Sequence, residues 1–271
     1  MIKIDNVVLP SGEQWMRIIQ GTRNPKNSWD RSDSDYRRIL FDRCDNCLSY
    51  QLEQWEDCDN CEVDIECKTH DGFMIGPNDH KLMMSLAAGG PVHAKYRRMI
   101  TVYLDITAPL YWWKEYDTYK VGTVANSCST MHKIHEKEFT REDFSCEHLI
   151  SPDDRYDIDC SVKIPNEAPY YPIDVLDLTI QALNLYRDKY LEAKTKPMKD
   201  ESKRAEVMKT YWWQMIQLLP SSYNQKRTVM LNYEVLHNIY ISRKNHKLDC
   251  WRDFCKWIES LPYSELITGE I

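Results

Sequence analysis

Residues 219–251, LPSSYNQKRTVMLNYEVLHNIYISRKNHKLDCW, open on a Leu-Pro stop, pass through a polar loop and enter an apolar run that carries Asn232, Asn238 and Arg243. Val229, Leu231, Val235, Leu236, Ile239 and Tyr240 supply the apolar positions, and their density predicts a helix through this run. In a straight α-helix Asn232 and Arg243 share a face about three turns, roughly 16 Å, apart, while Asn238 points elsewhere. Amides and a guanidinium along such a helix suit a phosphate or a heterocycle edge, because Asn both donates and accepts whereas Arg grips an anion with two prongs. The competing reading is three solvated surface polars.

The chain around this stretch reads as a mixture of helices and strands. Glu13 to Gly21 predicts a short helix with Trp15, Ile18 and Ile19 inward and Gly21 as its cap, and the Asn-Pro and Ser/Asp content after it marks a loop. Residues 79–88 predict a buried helix with Asn78 or Asp79 as cap and Gly89-Gly90 as terminator. Ile100, Val102, Leu104 and Ile106 alternate with Thr101, Tyr103 and Asp105, which predicts a half-buried strand, and Pro109 suits a first helical turn. The helix it opens carries Trp112, Trp113, Tyr116 and Tyr119, which core and subunit packing explain better than base stacking. Thr140 to Asp143 has the form of a capping box, and 151–172 reads as a long surface loop. Helices are expected over 173–192, 201–218 and 248–260, with TKPMKDESK as the turn between the first two.

Composition narrows the function classes. A net charge of -7 and a pI near 5.7 argue against an extended nucleic-acid face, though a local basic pocket still accommodates one nucleotide. No stretch approaches 18 uninterrupted apolar residues and the N-terminus lacks a secretory pattern, so a soluble cytoplasmic protein without membrane contact is expected, its partners small molecules or proteins. With 271 residues the chain can fold as one domain.

Ten cysteines without a secretion signal suggest thiols or metal ligands before disulfides. The segment 44–67 holds two Cys-x-x-Cys pairs, Cys44/Cys47 and Cys58/Cys61, with Cys67 beyond. Paired knuckles of this kind present four sulfurs to one tetrahedral zinc. Unligated surface cysteines in an acidic loop are the alternative.

The segment VGTVANSCSTMHK, 121–133, reads either as a ligand loop or as a plain polar connection: Gly122 allows close approach, and Thr123, Asn126, Ser127, Ser129, Thr130 and Lys133 offer donors. Cys128 has His132 one turn away if the segment is helical, a pairing more often inert than reactive.

Leu219-Pro220 followed by Asn232, Asn238 and Arg243 resembles the C-terminal signature of the flavin-dependent thymidylate synthases, and the block from His93 through Ala108-Pro109 to about Lys133 resembles a second stretch of the same family. The resemblance implies an α/β (α+β) fold with a mixed, largely antiparallel sheet wrapped by helices, here as a single domain over 1–271 with the cysteine segment inserted. It implies FAD at His93, Asn232 and Asn238, with Ser28 of the Ser28-Trp29 pair as a further contact, and a nucleotide at Arg243, Lys120, Thr123, Asn126, Ser127 and Ser129. A homotetramer is implied as well, and the chain looks like a divergent branch met in phage and prophage genomes.

The family's motif Arg-His-Arg-x-x-Ser-x-Asn-Glu-x-Ser-x-Arg, aligned without a gap from Ala108-Pro109, falls on Thr118, Tyr119, Lys120, Thr123, Ala125, Asn126, Cys128 and Thr130. Only Lys120 keeps a charge there, and Ile216 stands at a further arginine position. One lysine does not replace three bidentate arginines on a phosphate. The expectation is a nucleotide-binding relative that does not carry out the ordinary thymidylate synthase reaction: either an FAD-dependent enzyme on a pyrimidine nucleotide, or a non-catalytic protein that captures a signalling or modified nucleotide. An interaction scaffold built on the cysteine segment is a third reading.

Overall fold

Strands and helices are interspersed along the chain of this computed structural model, which describes residues 2–40, 69–153, 161–163, 165, 169–197 and 200–269. The cysteine pairs of 44–67 lie outside the described residues. In order, the elements are β1 (Lys3–Val8), α1 (Gly12–Arg23), β2 (Asp35–Leu40), β3 (Thr69–Met74), α2 (Pro77–Ala88), β4 (Thr101–Pro109), α3 (Leu110–Tyr116) and β5 (Val124–Ser127), then α4 (Pro172–Thr195), α5 (Glu201–Leu218), β6 (Asn224–Asn232), α6 (Tyr233–Arg243), α7 (Asp249–Glu259) and α8 (Glu265–Thr268). Two sheets result, one of four strands in the order β1-β4-β6-β5 and one of two, β2-β3. No described helix is long and apolar enough to cross a membrane.

The described chain forms two compact units. The first comprises Met1–Val7, Tyr103–Met230 and Ser242–Trp257, and the second Val8–Val102, Leu231–Ile241 and Ile258–Ile271.

The first unit contains most of the four-stranded sheet, the α4–α5 hairpin and most of α7. Leu104 and Ile106 are buried while Tyr103 is half exposed, so β4 alternates as its sequence predicts. Strand β5 pairs antiparallel with β6, Asn126 opposite Thr228 and Ser127 opposite Arg227. Leu176, Ile180 and Leu183 of α4 pack with Met215 of α5 and with Ile134, Phe139 and Phe144. Trp112 is enclosed by Trp113, Tyr116, Trp251 and Phe254, with centroids 4.6 to 5.7 Å from its own.

The second unit packs α1, α2, α6 and α8. Trp15 meets Tyr233 and Tyr263 edge to face, and Ile18, Ile19, Met83, Leu236, Ile239, Leu266 and Ile267 are buried. The hairpin of β2 and β3 runs from Asp35 opposite Met74 to Leu40 opposite Thr69.

Several boundaries differ from expectation. The run over 224–243 is a strand followed by a helix, not one helix, so Asn232 and Arg243 do not share a helical face. Gln225, Val229 and Leu231 are buried and Lys226 and Thr228 are exposed, a period of two. With only Val229 and Leu231 apolar on that face, the alternation merges with the helical pattern that begins at Val235. Helix α1 continues past Gly21 to Arg23. Helix α2 starts at Pro77 with Gly76 as N-cap, and the Asp33 carboxylate accepts from the Asn78 and Asp79 N–H groups of its first turn. Pro109 closes β4 and caps α3, which ends at Tyr116 and leaves Tyr119 outside it. Residues 128–132 are not helical, so Cys128 and His132 are not a helical pair.

Candidate nucleotide site

Arg243 ends α6 in the first unit, and three side chains fix its guanidinium. Nε donates to the Tyr119 hydroxyl at 3.0 Å and Nη1 to Glu115 Oε2 at 2.8 Å. The group lies over the Trp251 indole, with Cζ 4.8 Å from the ring centroid, and 5.8 Å from that of Tyr119. Trp251 Nε1 donates to the same Glu115 oxygen at 2.8 Å, and His246 Nε2 stands 3.6 Å from it. Glu115 thus has its acceptor oxygen turned inward by an indole and a guanidinium. Among the described residues Nη2 of Arg243 has no partner, and the side chain is 19% exposed. The outcome is a stacked, oriented guanidinium with Nε and Nη1 engaged and Nη2 left to donate to an oxyanion.

The other nucleotide candidates lie in this unit too. Lys120 is exposed and follows Tyr119 directly. Thr123 donates its hydroxyl to the Tyr119 carbonyl, closing the turn between them. Asn126 and Ser127 are exposed on strand β5. Ser129 differs from these, since its Oγ accepts from the backbone N–H groups of Met131 and His132 at 3.2 and 2.9 Å and so holds a turn.

Glu115, Tyr119 and Trp251 were not legible as partners of Arg243. They are separated from it by 128, 124 and 8 positions, and only the spatial path of α3 and α7 brings them to one guanidinium. Arg227 is likewise new: its Cζ lies 4.1 Å from the Trp113 ring centroid, with Nη1 donating to Asp117 at 2.8 Å and Nε to Gln225 at 3.0 Å.

The residues matched to flavin contacts fall in the second unit. Asn232, 8% exposed, ends β6 and accepts from the Val235 N–H at 3.1 Å, so its oxygen caps α6. Asn238 is exposed on α6, and His93 is exposed on a turn with its ring against Gly89. Ser28 accepts from Arg23 Nη1 through its carbonyl at 3.1 Å and, more loosely, its hydroxyl at 3.4 Å. Asn238 and His93 therefore offer open polar edges that suit a heterocycle, whereas Asn232 and Ser28 already serve the fold in part. A cavity of about 810 Å³ beside α1, lined by Met16, Ile18, Tyr36 and Met99 among others, contains none of these four.

Two of the second unit's buried charges, Arg23 and Asp79, meet each other. Asp79 Oδ1 accepts from Arg23 Nε at 2.5 Å, and Oδ2 accepts from the hydroxyls of Ser32 and Ser34 at 2.8 and 2.7 Å and from the backbone N–H of Asp33 and Ser34, both at 3.1 Å. Burial alone would push this carboxyl up, but the bonds from Ser34, Ser32, Arg23 and the Asp33 backbone outweigh it and hold it below the ordinary carboxylate value.

The sequence matches no family model and no curated protein. Its fold, by contrast, has solved counterparts. It is similar to thymidylate synthase X from Helicobacter pylori with FAD and dUMP, at 14% identity and a TM-score of 0.54 over 99% of this chain and 98% of that one. A second structure of the flavin-dependent thymidylate synthase from Helicobacter pylori complexed with FAD and dUMP aligns at 13% identity with the same coverage and TM-score. Through nearly its whole length, then, this chain has the fold of the flavin-dependent thymidylate synthases, in a divergent form.

Proposed function

We propose that this protein binds a pyrimidine nucleotide, with the unengaged Nη2 of Arg243 on its phosphate. The observation behind the reading is the oriented guanidinium, held by Glu115 and Tyr119 over Trp251 with Nη2 unengaged among the described residues. Lys120, Thr123, Asn126, Ser127 and Ser129 complete the polar set, and Lys120 adds a second positive charge. The bound dUMP of the similar Helicobacter pylori structures supports the choice of ligand class. Isothermal titration with dUMP and with other mononucleotides tests it, and heat from none of them would reject it.

A second reading makes the protein FAD-dependent, and the open edges of Asn238 and His93 favour it. These two residues, with Asn232 and Ser28, would hold the flavin, and a bound flavin would supply the electron-transfer chemistry while the protein orients the reactants. The visible spectrum of the protein after reconstitution with FAD separates the two readings: a retained flavin band supports the enzyme, and its absence leaves a nucleotide binder. On either reading the chain fails to replace a missing thymidylate synthase, because Thr118, Thr130 and Ile216 stand at the family's arginine positions. Growth of a thymidine-requiring strain on this gene checks that. Assembly as a homo-oligomer and a cytoplasmic location belong to the same reading. Zinc on Cys44, Cys47, Cys58 and Cys61 rests on their spacing, and elemental analysis of protein purified without chelator tests it.

A further inference from the structure

Helix α4 has two apolar faces. The first, Leu176, Ile180 and Leu183, lies in the core of the helical hairpin. The second comprises Val175, Leu178, Ala182 and Leu185; its three large members are 44%, 47% and 51% exposed. At about 100° per residue these four fall within one sector of roughly 80°, well away from the buried stripe. Isolated exposed apolar side chains are ordinary, but an aligned row over about 15 Å is the pattern of a helix with a partner.

The row has a further property: its spacings, three, four and three, read the same from either end. A second copy of α4 laid antiparallel, with a two-fold axis near residue 180, sets Val175 opposite Leu185 of the copy and Leu178 opposite Ala182. The small Ala182 sits where the axes come closest and leaves room for the leucine. Charge follows the same symmetry. Lys189 continues the row at its C-terminal end, with Nζ 5.9 Å from the ring centroids of Tyr186 and Tyr211 and no ion pair among the described residues. Asp174 flanks the row at its N-terminal end, where one carboxylate oxygen accepts from the Tyr171 N–H. The two-fold brings each Lys189 toward the other copy's Asp174, two opposite-charge contacts per dimer, and it aligns the helix dipoles head to tail.

We propose that this face of α4 is a contact between two copies of the chain, in the antiparallel register just given. The proposal names a face and a register and does not depend on the nucleotide reading. Val175→Cys and Leu185→Cys full-length proteins, purified separately, test it. In that register each introduced thiol lies ten residues, about 15 Å along the axis, from its own counterpart in the other copy, so neither protein cross-links with itself there. Mixed under mild oxidation, the two give a covalent dimer absent from either alone and from the wild type. No mixture-specific dimer, or equal dimer from each variant alone, overturns the register. In sedimentation velocity, Leu178→Glu raises the dimer dissociation constant at least tenfold while thermal unfolding followed by circular dichroism stays unchanged. A wild type that remains monomeric, or a variant that associates as tightly as wild type, overturns the contact itself.

Discussion

Arg23–Asp79 in the second unit and Arg243–Glu115 in the first are both arginine–carboxylate pairs, yet their surroundings differ. Asp79 is 1% exposed and its two oxygens receive five donors, from Arg23, Ser32, Asp33 and Ser34. Glu115 is 35% exposed on its side chain, and Nη2 of Arg243 has no partner among the described residues. The density of donors makes the first pair architectural, because the carboxylate joins Arg23 of α1 and the 32–34 segment to α2. Incompleteness makes the second receptive. The same two residue types thus serve fold or ligand according to how many donors the neighbouring backbone supplies.

The comparison breaks first at Asp79. Asp79→Ala leaves the buried Arg23 guanidinium without its counter-charge, and removal of one partner of a buried pair costs about 3–5 kcal/mol. Urea denaturation should show that loss, and a change under about 1 kcal/mol would mean the pair is not architectural. Gly76, beside this cluster, should be nearly as intolerant. A Cβ there would fall against the Asp33 backbone carbonyl, well inside van der Waals contact, so Gly76→Ala should destabilise by a few kcal/mol in the same assay.

Acid probes the same pair with a smaller effect. The folded carboxyl of Asp79 sits below its ordinary value, about 3.9 in an unfolded chain, so its contribution is fully present above that pH and is lost as pH falls through the lower, folded value. Stability measured from pH 5 down to pH 2 should therefore fall with a component that Asp79→Asn removes. Superimposable slopes for wild type and variant would refute the assignment.

At the open pair the expected changes are in binding. Charge-assisted hydrogen bonds contribute about 1.5–3 kcal/mol, so Arg243→Ala should weaken nucleotide affinity at least tenfold, and Arg243→Lys should recover part of it by keeping charge without the fork. Equal affinities in calorimetric titration of the three proteins would place the ligand elsewhere. The smallest and sharpest test is Glu115→Gln. It retains an acceptor for Arg243 and Trp251 but removes the negative charge beside the phosphate, so affinity should rise about two- to fivefold, under roughly 1 kcal/mol. A fall instead would show that the carboxylate's charge is what holds the fork in place.

How much of this was legible can be judged from particular residues. Leu176, Ile180 and Leu183 repeat at helical spacing, and α4 formed with those residues buried. Ile100, Val102, Leu104 and Ile106 alternate, and all four are buried. Local periodicity sufficed there because one face of each element had a single apolar environment to satisfy. It failed over 224–243, where too few apolar residues on the strand left its period hidden beside that of the helix.

The sequence by itself determined, to within a few residues, where α1, α2, α4, α5, α7 and β4 run. Only the tertiary structure decided that Asn232 caps a helix, that Asp79 anchors Arg23, and that Arg243 is stacked on Trp251 and pinned by Glu115. The reason is physical. Secondary structure answers to neighbours three or four positions away, whereas the fate of side chains such as Asp79 and Arg243 depends on partners 56 and 128 residues away that the fold brings close.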